Sequence, residues 1–130
     1  MFNIPLSEID FAKVESFCRE WPEGIRVDYK TEPVNIPKVV SSFANTSGGI
    51  WIIGVKTDAR NMPSFPLSGC PFRAGLEEQI TQSSFQGIYP GIIPAAKLVP
   101  VTSDPGKVIV VVKDLESIEA PHESRIRGQA

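Results

Sequence analysis

The segment from Val39 to Val55 sets the terms for the rest of the chain. Val39, Val40, Phe43 and Ala44 fall on one stripe of a helix. Pro37 suits its first turn, where a missing N–H costs nothing, and Asn35 stands at the N-cap position. Gly48 and Gly49 stop the helix, because a left-handed residue at a helix C-terminus is cheap only for glycine. Ile50 to Val55 then runs almost wholly apolar and β-branched, the mark of a short strand buried on both faces. The remaining chain must cover this helix–glycine–strand unit.

Upstream, Ser7 is placed to cap a first helix, with Asp10 at the capping-box position. Phe11, Val14, Phe17, Cys18 and Trp21 recur at helical spacing as its core face, and Trp21-Pro22-Glu23-Gly24 ends it. Ile25, Val27 and Tyr29 alternate with Arg26, Asp28 and Lys30, which predicts a half-exposed strand with a charged outer face. Downstream, Lys56 to Phe72 is punctuated by Pro63, Pro66, Gly69 and Pro71 and predicts a long loop with room for a short edge strand. Leu76, Ile80 and Phe85 mark a third helix, broken at Gly87 and Pro90. Leu98 to Val101 and Lys107 to Lys113 read as two strands joined by the turn Ser103-Asp104-Pro105-Gly106. Arg125-Ile126-Arg127-Gly128 reads as the start of another. The expected fold is α+β: a single domain with a mixed, mostly antiparallel sheet, helices packed on it, and Ile50 to Val55 near its centre.

At 130 residues the chain has the length of one domain with a real core. No run is long and apolar enough to span a membrane, and the N-terminus lacks the basic-then-apolar layout of a signal peptide, so a cytoplasmic location is the expectation. Cys18 and Cys70 form no metal-type spacing and read as buried, idle thiols. His122, the only histidine, leaves little material for a zinc site. No glycine-rich phosphate loop ends in Gly-Lys-Ser or Gly-Lys-Thr, and no serine, cysteine or histidine set pairs a nucleophile with a base.

Charge is unevenly spread. The net charge of −2 does not favour phosphate binding. Yet between Glu32 and Glu77 the only acid is Asp58, against Lys38, Lys56, Arg60 and Arg73. Lys38, Lys56 and Arg60 sit near the ends of the central helix and strand, and Arg125 and Arg127 alternate onto one face. Such cations could neutralise several phosphates; scattered solubilising charges have the same composition. A third possibility is self-association, in which edge segments around Lys97–Val101 and Arg125–Ile126 pair with a second copy as a homodimer.

Phe43-Ala44-Asn45-Thr46-Ser47-Gly48-Gly49 followed by Ile53-Gly54-Val55 resembles the signature of the Schlafen-type AlbA domain. The resemblance extends upstream to Asp28-Tyr29-Lys30 and downstream to Pro121-His122 and Arg125-Ile126-Arg127-Gly128. It implies a helical lead-in over 1–22 and the family domain over 23–130, as one fragment of a longer protein with further domains. It also implies a nucleic-acid-binding module, DNA above all, of a bacterial-type transcriptional regulator, with no cofactor. Similar eukaryotic Schlafen domains are metal-dependent RNA endonucleases. Their acids come from an E-x-x-x-x-E-F-K pattern and from the residues just after the Ile-Gly-Val strand. By that resemblance Glu23, Asp28 and Asp58 would be the catalytic acids and would hold Mg²⁺ or Mn²⁺, with Lys30 on the phosphate. The chain departs from the pattern at Lys56-Thr57, where two consecutive acids are typical, and its next acid is Asp58.

Overall fold

The computed structural model describes residues 3–45, 48–89, 94–114 and 123–124. At its centre β2 (Gly49–Ile53) is buried at every position. It pairs on both edges, parallel with β1 (Val27–Lys30) and antiparallel with β6 (Asp104–Asp114). β5 (Ala95–Val101) runs antiparallel along β6, and β3 (Cys70–Pro71) also pairs with β6. The β5 register spans the β6 residues that meet both β2 and β3, so those two strands share the opposite edge of β6. The five-stranded sheet is therefore mixed, with β1–β2 its parallel pair. A separate two-stranded pairing joins β4 (Ile88–Tyr89) to β7 (Glu123–Ser124).

The alternation of strand side chains feeds two cores. Ile50 and Ile52 join Val27, Tyr29, Ile109 and Val111 against Val14, Phe17 and Cys18 of α1 (Phe11–Glu20). Trp51 and Ile53 join Val108, Val110 and Val112 against α2 (Ile36–Ala44) and α3 (Leu76–Gly87). With helices on both faces, β2 is dry on both. No helix among the described residues is long and apolar enough to cross a membrane.

Several local expectations are corrected. Asp10, not Ser7, caps α1: its side chain accepts the Lys13 N–H at 2.9 Å, and a separate 3₁₀ turn over Leu6–Glu8 precedes it. Asn35 does stand at the α2 N-cap, but in the left-handed region (φ 54°) and with no side-chain capping bond. α2 closes through Gly48 (φ 76°), whose N–H donates to the Phe43 carbonyl at 2.9 Å, while Gly49 already belongs to the strand. α3 buries Leu76, Ile80 and Ser84, a strict four-residue stripe, and leaves Phe85 exposed. Val101 pairs with Asp104, so the hairpin turns at Thr102-Ser103. Asp104-Pro105-Gly106 lies within β6 beside a register shift, where Asp104 Oδ1 accepts the Gly106 N–H. Arg125 to Gly128 lies outside the described residues.

Candidate functional site

β1 lies at an edge of the sheet, and its unpaired side is partly closed by its own chain. The Gly24 N–H donates to the Val27 carbonyl at 2.9 Å. The Tyr29 N–H donates to Glu23 Oε2 at 3.1 Å. The turn that makes these bonds removes Ile25 from the strand. Ile25 is not on the core face with Val27 and Tyr29 as its alternation predicts; it is 79% exposed.

Asp28 is the register partner of Trp51 in the parallel pair, so its side chain points to the α2 side of the sheet. A cleft of about 450 Å³ opens there between β1 and α2. Asp28, Lys30 and Lys38 supply its charges, and Ile25, Val39 and Phe43 its apolar wall. The Asp28 side chain is only 19% exposed. Its Oδ1 lies 3.4 Å from Lys30 Nζ, while Oδ2 is buried with no hydrogen-bond partner, as is Trp51 Nε1. Burial, then the Glu23 carboxyl beside it, push the Asp28 carboxyl up to about 6 against the opposing pull of the Lys30 ammonium.

Behind the strand the groups are structural. Tyr29 Oη donates to the Trp21 carbonyl at 2.7 Å, and burial drives the phenol well above its ordinary range. Both cysteines are buried, and burial pushes the Cys18 thiol up to about 12 and the Cys70 thiol upward. Neither is poised as a thiolate.

Asp58 sits on an exposed turn of the loop after β2. Its Oδ1 accepts the N–H groups of Arg60 at 2.8 Å and Met62 at 3.1 Å. The turn docks on the Glu23 backbone, because the Asn61 carbonyl accepts the Glu23 N–H at 2.7 Å. Glu23 and Asp28 are therefore brought together, while an oxygen of Asp58 is committed to its own turn. Among the described residues no three Asp, Glu, His or Cys side chains group to hold a metal ion. Among the described residues the site supplies a pair of carboxylates, Glu23 and Asp28, and not a grouped three.

Several cations lie along β1. The Lys30 carbonyl accepts the N–H groups of Gly54 at 2.7 Å and Val55 at 3.0 Å, so Lys56 leaves the sheet beside Lys30. Lys38 reaches the cleft from α2. Arg60 rides on the turn docked to Glu23. Lys38, Lys56 and Arg60 are all exposed. Arg125 and Arg127 lie outside the described residues. Lys97, in the segment considered for self-association, donates from Nζ to the carbonyls of Ser7 at 2.9 Å and Ile9 at 2.7 Å. Asn35, Ser42 and Phe43 also line the cleft. Sequence reasoning missed them as site residues, and only the packing of α2 on the sheet next to β1, a tertiary fact, brings them there.

These features define a small α+β domain in which an edge strand and the central helix frame a charged cleft. The chain belongs to the Schlafen, AlbA_2 family, whose family model matches residues 20–128. Its fold is similar to that of the N-terminal domain of a protein from Nitrosomonas europaea assigned as a RecG-related ATP-dependent DNA helicase. The two share 19% identity at a TM-score of 0.64, over 89% of this chain and 80% of that one. It is also similar to the DIP2311 protein from Corynebacterium diphtheriae, with 20% identity and a TM-score of 0.52. That match covers 87% of this chain but 23% of the other. No curated protein matches the chain.

Proposed function

We propose that this domain binds nucleic acid through the β1–α2 cleft and the carboxyl ends of β1 and β2, as the targeting module of a longer transcriptional regulator. The observation that carries the reading is the placement of Lys30, Lys38, Lys56 and Arg60 along β1 and its cleft in a chain whose net charge is −2. Family membership and the fold shared with the N-terminal domain of a DNA-helicase-type protein support it. Phosphate contacts made by lysine and arginine release counterions, so affinity falls steeply with salt. The variant Lys38→Ala/Lys56→Ala/Arg60→Ala is expected to bind duplex DNA more weakly and to lower the salt slope by about 2–3, the loss of two or three phosphate contacts. An unchanged slope in fluorescence anisotropy across a salt series would remove these residues from the interface.

A second reading is favoured by one feature: Glu23 stands beside a half-buried Asp28 whose carboxyl is shifted upward. Such a pair suits an RNA endonuclease that takes Mg²⁺ or Mn²⁺, although the third acid is not grouped with it. Glu23→Gln should then abolish Mn²⁺-dependent cleavage of a structured RNA and leave binding in place. Equal cleavage by both proteins, or none by either, returns the pair to a role in folding and binding.

A further inference from the structure

The cleft beneath α2 carries more unspent hydrogen-bonding capacity than a closed fold requires. Asp28 Oδ2 is buried and accepts nothing. A buried acceptor left unpaired is costly, so it persists where something else offsets it. Asn35 holds a left-handed conformation at the mouth, and its side chain makes no capping bond. The Lys38 ammonium is exposed on the rim and forms no ion pair among the described residues. Opposite these groups, Ile25 is 79% exposed, a large apolar side chain that the two cores do not use.

We infer that this cleft accepts one unpaired nucleotide of a single-stranded nucleic acid. The inference rests on the nucleic-acid reading above and narrows it. A volume of about 450 Å³ lies within the range of small-molecule pockets, and a concave site admits a base only once it has left the stack. A duplex presents its groove edges to protruding elements, whereas a splayed base enters a pocket that offers a flat apolar wall and one or two polar partners. Ile25, Val39 and Phe43 form the wall. The Asp28 carboxylate, which lines the cleft, accepts an amino N–H from the base edge, and Lys38 meets the adjoining phosphate. An acceptor at that point favours adenine, cytosine or guanine, which carry exocyclic amines, over uracil and thymine.

The test measures anisotropy of labelled twelve-nucleotide single strands and the matching duplexes, with AMP and CMP as free competitors, at low salt. Ser42 lines the cleft from an exposed position on α2, so Ser42→Trp fills it, and circular dichroism checks that the fold is kept. The wild-type protein is expected to bind the cytosine- or adenine-rich single strand at least tenfold more tightly than the duplex. Ser42→Trp should remove that preference, lowering single-strand affinity at least tenfold. Lys38→Ala should weaken single-strand binding severalfold without touching any packed residue. Wild-type single-strand binding in a folded Ser42→Trp protein would overturn the pocket while leaving the nucleic-acid reading intact. Competition by AMP or CMP at concentrations where the strand binds no better would overturn the assignment to a strand. Absence of binding to either nucleic acid at low salt would overturn both readings together.

Discussion

Replacing Gly49 by alanine is expected to destabilise the domain by about 2–3 kcal/mol, the upper part of the usual range for an inserted methyl in a packed interior. A Cβ at this position would stand 2.6 Å from Cδ1 of the Phe43 ring and 2.7 Å from the Arg26 carbonyl oxygen. Both are well inside van der Waals contact. The ring could swing aside at the cost of its place in the α2 core, where Phe43 is 5% exposed. The carbonyl is less free, because it accepts the Ile50 N–H at 2.9 Å and so helps align β1 with β2. The substitution therefore strikes both the helix packing and the parallel pair. Chemical denaturation would show a lower midpoint with little change in slope. Adding Phe43→Leu should recover only the part of the loss that comes from the ring. A Gly49→Ala protein as stable as wild type would mean that α2 and β1 yield together without cost.

That result would also explain why the Gly48-Gly49 pair is informative in the sequence. The two glycines have different duties. Gly48 turns the chain out of the helix at φ 76°, and Gly49 admits a ring and a carbonyl where no side chain fits. Only the first duty is visible without the fold, because it is local. The same division runs through the chain. β2 was legible from its unbroken apolar run, and β6 from its β-branched one, since a strand covered on both faces has no polar position. Ile25 was misplaced because alternation alone cannot tell where a strand begins. The bonds from Gly24 to Val27 and from Tyr29 to Glu23 make that start a turn. Phe85 was misplaced because two helical stripes differ by one residue, and Ser84 takes the inner position by bonding its Oγ to the Ile80 carbonyl at 2.8 Å.

The site divides in the same way. Asp28 and Lys30 share a face by the two-residue period of a strand, so their kinship could be read directly. Lys38 joins them only because α2 and β1 line one cleft. The approach of Glu23 to Asp28 depends on an edge N–H that needs an acceptor. Asp58 shows the converse. Spacing after the strand offers it as a third acid, but a tight turn claims one of its oxygens first, through Arg60 and Met62.

Asp28 supplies the remaining large effect. Its carboxyl titrates at about 6 in the folded protein, against about 4 in an unfolded chain. Below pH 4 both states hold the proton, and the group exerts no pH-dependent pull. Between pH 4 and 6 the folded state holds more protons than the unfolded one, so stability falls as pH rises through this window. Above about 6 the loss is complete, and a window about two pH units wide corresponds to about 2–3 kcal/mol. Asp28→Asn keeps the shape, removes the charge and forfeits only an ion pair to a Lys30 side chain that is 40% exposed, which contributes little. The variant should therefore match wild type near pH 4 and exceed it at pH 8 by about 2 kcal/mol. Glu23→Gln should shrink the same window, since the Glu23 carboxyl is one of the two causes of the upward displacement. Urea midpoints at pH 4, 5, 6 and 8 decide the matter. A wild-type profile that is flat across this range, or an Asp28→Asn protein weaker than wild type at pH 8, would refute the account. A gain in stability on removing one buried charge would mark Asp28 as a residue kept at a cost to the fold, as expected of a group whose partner is a ligand rather than the protein.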